Sequence, residues 1–134
     1  MPYMRRLKRN PRREYRLKQR DRVDASPLIA EKFPGLKLIK VTLEFFDAGG
    51  STRHGEMKCK LNLAHAKSAL WFSCPGVECT CGDFDLSEAL AKAVARRSKV
   101  ATGELRCKGT RTRGDREPVA CGTLLRYKLN LTYD

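Results

Sequence analysis

The chain has 134 residues, enough for one domain. It carries 28 Lys and Arg against 15 Asp and Glu, a formal net charge of +13, and 32% of its residues are charged. No apolar run approaches the roughly 18 residues of a membrane span, and no apolar stretch follows the basic N-terminus as a secretory signal requires. Integral membrane and secreted disulfide-built classes are therefore excluded, which predicts a small basic cytoplasmic protein, or a nuclear one in a eukaryote.

The charge is concentrated at the start. Arg5, Arg6, Lys8, Arg9, Arg12, Arg13, Arg16, Lys18, Arg20 and Arg22 face only Glu14, Asp21 and Asp24. The segment is poor in apolar residues and Pro11 interrupts it, so residues 1–24 are expected to form a disordered basic arm. A solubilising or targeting tail has similar composition. Dense arginine also suits bidentate phosphate contact, and Tyr3 and Tyr15 could stack on bases. The concentration of charge favours nucleic acid over a membrane surface, for which the arm lacks an apolar face.

The domain is expected over residues 25–134. Ser26-Pro27 and Pro34-Gly35 bracket one or two helical turns, with Ser26 as N-cap. Ile39, Val41, Leu43 and Phe45 alternate with polar residues as a strand should. Met57, Cys59, Leu61 and Leu63 predict a second strand, and Ala69 to Ser73 a third, together an antiparallel meander. Asp85-Leu86-Ser87-Glu88 reads as a capping box opening a helix to about Arg97. A fourth strand covers Val100 to Cys107 and a fifth holds Leu125, Tyr127, Leu129, Leu131 and Tyr133 inward. The sum is an α+β domain of β-β-β-α-β-β order: a five-stranded antiparallel sheet with one packed helix. The uncovered sheet face would show Lys40, Lys58, Lys60, Arg126 and Lys128, with Glu44 the lone exception. Such charge is ordinary for a solvated face, but its single sign suggests a second anion-contacting surface.

Six cysteines remain to be placed. Cys59 fits a buried strand position. Cys74, Cys79 and Cys81 share a turn-rich loop, while Cys107 and Cys121 lie at the ends of the last two strands. Two pairs flanking a helix suit a structural zinc held by four thiolates, and Cys74, Cys79, Cys107 and Cys121 are the expected ligands. Cys81 could replace Cys79. Losing four protons and gaining a divalent cation would bring the +13 to +11, still strongly basic. Arg106, Lys108, Arg111, Arg113 and Arg116, against Asp115 and Glu117, would form a basic rim at the metal knuckle, with a merely solvated loop as the alternative.

Nothing else suggests an enzyme. His54 and His65 fall in predicted turns, Asp85 is explained by capping, and the nucleotide and hydrolase motifs are missing. A Cys79/Cys81 thiol redox pair is the minor enzymatic alternative. The stretch Cys74-Pro75, Glu78-Cys79 and Gly82-Asp83-Phe84-Asp85-Leu86, with Cys107 and Cys121, resembles small bacterial proteins with a zinc-ribbon-like core. The resemblance spans roughly residues 34–134, brings no activity, and implies the same four ligands with Cys81 as an extra thiol.

The expected function is therefore non-enzymatic binding of structured RNA, on the ribosome above all, by a protein that is a monomer when free. A helix needed by the core leaves none to enter a DNA major groove. A DNA-associated transcriptional zinc module is the alternative, and an adaptor gripping an acidic protein partner is a third.

Overall fold

A computed structural model describes residues 11–75, 79–80, 82–111 and 119–134. It is α+β. Three helices occur among the described residues: α1 (Pro11–Ala25), α2 (Ile29–Lys32) and α3 (Ser87–Ala95). The strands are β1 (Leu36–Phe46), β2 (Arg53–Leu61), β3 (Trp71–Ser73), β4 (Cys79–Thr80), β5 (Asp83–Asp85), β6 (Val100–Arg106), β7 (Thr110–Arg111), β8 (Val119–Ala120) and β9 (Leu124–Tyr133).

The main sheet is antiparallel, with spatial order β2-β1-β9-β6. Its two longest strands are the two with the clearest alternation, and they pair from Leu36↔Tyr133 to Phe46↔Leu124. Their inward residues Ile39, Val41, Leu43, Leu125, Leu129 and Leu131 are buried. Leu86, Leu90 and Ala93, at and along the start of α3, join the same core, as does Phe84. Period-2 and period-3.6 patterns thus meet on one interior.

The predicted meander does not form. β1 and β2 make a hairpin, but β3 pairs with β5 in a separate two-stranded ribbon. The five-stranded sheet is replaced by four strands, a ribbon, and a small β4-β7-β8 sheet. β2 is consequently an edge strand, which leaves Cys59 half-buried and Met57 exposed.

The start of α3 also differs from expectation. Leu86 is the N-cap and makes no side-chain cap. Asp85 Oδ1 instead accepts the Ser87 N–H at 2.9 Å, and Glu88 pairs with Lys92 one turn on. Ser87 Oγ accepts the Leu70 N–H at 2.8 Å, which ties the helix start to the end of the loop before β3. The helix stops at Ala95, two residues early. Ser98 N–H reaches the Ala93 carbonyl and Arg97 N–H the Val94 carbonyl, with Arg97 at φ 49°. That is a Schellman closure with arginine in the left-handed position glycine usually takes. The Arg97 guanidinium then lies 4.8 Å from the Tyr133 ring centre.

The arm differs most. Residues Pro11–Ala25, expected without structure, are helical. Pro11, expected to interrupt a helix, is the first described residue of α1. From Glu14 to Ala25 along α1, Tyr15, Gln19 and Val23, about one turn apart, are partly buried. Tyr15, expected to meet bases, donates its hydroxyl to Asp83 and is partly buried. Arg22 lies 3.9 Å from Asp85. Ser26 does not cap α2; its hydroxyl donates to the Val23 carbonyl and accepts the Ala69 N–H. Arg5, Arg6, Lys8 and Arg9 lie outside the described residues.

Candidate metal centre

The main sheet builds the site by extending its β6–β9 pairing. Past Arg106↔Leu124, the Cys107 N–H donates to the Thr123 carbonyl and the Cys121 N–H to the Gly109 carbonyl. These two bonds place Cys107 and Cys121 side by side despite their distance in sequence. The other pair arrives through β4, where Cys79 sits opposite Arg111 of β7. Cys74 follows β3, and its N–H donates to the Gly82 carbonyl.

All four Sγ atoms lie within 4.8 Å of one another, and all four residues are buried. Cys74 and Cys121 sulfurs are 3.8 Å apart, those of Cys79 and Cys107 3.5 Å. Both separations far exceed the roughly 2.05 Å of a disulfide. This cluster could hold a metal ion. The four cysteines brought together are those singled out from spacing; Cys81 lies outside the described residues and Cys59 is on β2.

Gly82 backs the cluster. A Cβ on it would collide with the sulfurs of Cys107 and Cys79 and stand 3.1 Å from Cys74 Cβ. Only glycine lets the backbone approach the sulfurs this closely. The sequence marked Gly82 as part of the loop, but not this close approach.

The sulfurs have further partners. Gly109 N–H points at Cys107 Sγ at 3.3 Å. Arg111 Nε donates to Cys121 Sγ at 3.3 Å and Arg111 Nη2 to Thr123 Oγ1 at 3.1 Å. Thr123 Oγ1 is 3.1 Å from Cys121 Sγ, and Thr123 is buried. Four thiolates around a divalent cation would carry net negative charge, which Arg111 beside Cys121 would offset. Arg111, expected on a nucleic-acid rim, faces the cluster instead. Threonine and arginine roles of this kind depend on tertiary contact and leave no mark in spacing.

The environments split the thiols. Burial pushes Cys79 up to about 11 and raises Cys107 as well. Burial would also raise Cys121. Hydrogen bonds from the Thr123 hydroxyl and backbone, Arg111 and Cys79 outweigh it and bring Cys121 down to about 6.

The remaining expected contacts scatter. Arg16, Lys18, Arg20 and Arg22 are exposed on α1; Arg12 and Arg13 belong to the same helix. Arg106 is not a free rim cation, because its Nη1 donates to the Ala48 and Gly122 carbonyls at 2.8 and 3.2 Å. Arg113 and Arg116 lie outside the described residues. His65 is in a turn as expected, whereas His54 lies exposed on β2. Among the described residues, no helix is long and apolar enough to cross a membrane. No protein-family model, curated protein or solved structure matches this chain.

Proposed function

We propose that Cys74, Cys79, Cys107 and Cys121 hold one structural zinc ion. On this reading the protein is a non-enzymatic nucleic-acid-binding module that acts on structured RNA, the ribosome foremost. The sulfur cluster carries the metal half of the reading. Zinc–sulfur bonds of about 2.3 Å put tetrahedral sulfurs about 3.8 Å apart, close to the 3.5 and 3.8 Å separations here. An all-sulfur tetrahedron suits zinc or iron–sulfur chemistry. A cluster of several irons spreads its ligand sulfurs over different metal atoms, wider than this site. Four protein ligands leave no place for a reacting water, so the ion serves the fold. The same closure counts against a redox role for Cys79.

Elemental analysis of protein purified under reducing conditions should find one zinc per chain, and cobalt substitution should give the absorption of a tetrahedral thiolate site. Metal-free protein whose melting is indifferent to chelator would overturn the assignment.

The charge supports the nucleic-acid half. Ten of the 28 basic residues fall in residues 1–24, and Arg16, Lys18 and Arg20 stand exposed on a helix docked to the body. Helical presentation fixes their spacing before contact and reduces the ordering cost of binding. Affinity should fall steeply with salt as phosphates are neutralised. Cosedimentation with ribosomes and free structured RNA at low and moderate salt tests this. Preference for duplex DNA in competition would move the reading to a DNA module. No association at low salt would overturn it in favour of an acidic protein partner.

A further inference from the structure

The uncovered face of the main sheet is divided by charge in a way that only the strand register reveals. In one row Lys60 stands opposite Lys40, and Lys40 opposite Asn130. In the next, Lys58 stands opposite Thr42, Thr42 opposite Lys128, and Lys128 opposite Thr102. Neither row holds a carboxylate. The third row is mixed: Glu56, Glu44, Arg126 and Glu104. The single exception expected from sequence is therefore three, all in one row.

The mixed row is internally compensated. Arg126 Nε lies 2.9 Å from Glu104, Arg53 pairs with Glu56 and lies 3.8 Å from Glu44, and Lys58 lies 3.1 Å from Glu56. Among the described residues, Lys40, Lys60 and Lys128 have no such partner. Like charges directly opposite on paired strands are destabilising. A face shaped for solubility alone would intersperse the signs, as the neighbouring row does. The Lys40–Lys60 pair leaves a positive charge that an anion from outside would compensate.

The geometry points to this lysine face as a binding surface for the phosphate backbone of structured RNA. The inference rests on the nucleic-acid reading above and extends it to a surface distinct from the arm and the knuckle. The two rows offer ammonium groups, the Thr42 and Thr102 hydroxyls and the Asn130 amide, donors suited to phosphate oxygens. They hold no aromatic residue on which a base could stack, so contact is to backbone and independent of sequence. A shallow groove of about 360 Å³ runs beside them, lined by Thr42, Thr102 and Lys128 and walled by Glu44 and Glu104. Those carboxylates would repel phosphate and limit the track on one side. A protein partner would need an apolar centre to its interface, and these rows supply only Val100 at their margin.

The test compares three full-length proteins: unmodified, K40Q/K60Q/K128Q, and R16Q/R20Q. Each is titrated with a labelled RNA hairpin and with anionic phospholipid vesicles, between 50 and 200 mM salt. All three lysines are exposed, so the triple variant should keep its fold and metal content. The expected result is at least tenfold weaker RNA binding at low salt. The slope of log affinity against log salt should become shallower by about two to three. Unchanged affinity and slope in the triple variant, with R16Q/R20Q weakened, would overturn the lysine face and leave the arm reading intact. Unmodified protein that binds vesicles but not RNA, or neither, would overturn the nucleic-acid reading itself.

Discussion

Gly82 and Arg111 show how little of a candidate metal site resides in its cysteines. Gly82 has no room for a methyl group beside Cys79 and Cys107. Gly82→Ala should therefore disperse the sulfurs and destabilise the fold by on the order of 1–3 kcal/mol. Metal content and melting temperature together would show it; a variant with full metal and unchanged melting would contradict the close approach. Arg111 holds both Cys121 and Thr123. Arg111→Ala should weaken metal affinity about 10- to 100-fold, the usual effect of losing a ligand's own support. Competition with a metal indicator measures this, and an unchanged affinity would return Arg111 to the role of a surface cation.

Among the elements, α1 gains most from tertiary contact. Its residues are too polar to order themselves, yet Tyr15 reaches Asp83 and Arg22 nears Asp85. Asp83 also accepts the Trp71 indole N–H at 2.6 Å, and it follows Gly82 directly. The arm is thus fastened to the ribbon that leaves the sulfur cluster. Tyr15→Phe should cost about 1.5–3 kcal/mol of this docking, as loss of a hydrogen bond to a charged group does. Amide exchange across residues 11–25 should quicken while the core stays protected, and emission of Trp71, the single tryptophan, should shift. Equal protection in both proteins would mean that the helix is held by other contacts.

For the molecule as a whole, the zinc reading predicts how stability depends on metal and on pH. Zinc binding by four thiolates can be worth on the order of ten kcal/mol to a small domain, so a strong chelator should sharply lower the protein's stability. Circular dichroism before and after chelation, with recovery on adding zinc, tests this. In the metal-free protein the thiols act in opposite directions. Cys121 sits at about 6, below its ordinary 9.0, so its contribution is complete above 9 and is lost as pH falls through 6. Cys79 sits at about 11, so its contribution is complete below 9 and is lost as pH rises through 11. Metal-free stability from denaturant titration should accordingly peak near pH 9. Zinc should abolish the alkaline decline, because bound thiolates have no proton left to lose. A flat profile without metal would show that these environments do not form in its absence.

The α+β class, the helix at Ser87 and the strands through Val41 and Leu129 were legible from hydrophobic period alone, because burial of one face imposes that period directly. The grouping of Cys74, Cys79, Cys107 and Cys121 was visible in spacing, since a pair in one loop and a pair at the ends of two hairpin strands can converge on one point. Strand partners were not. The stretch around Trp71 is apolar enough for a short strand, and its pairing with Asp83–Asp85 took it away from β2. The helical state of Pro11–Ala25 was equally hidden, because it depends on contacts with residues about 60 to 70 positions away. The same holds for the lysine face. Its composition was plain, but the separation of Lys40, Lys60 and Lys128 from the paired carboxylates is a matter of register. Register is settled by whole strands packing against a core rather than by any residue's own preference.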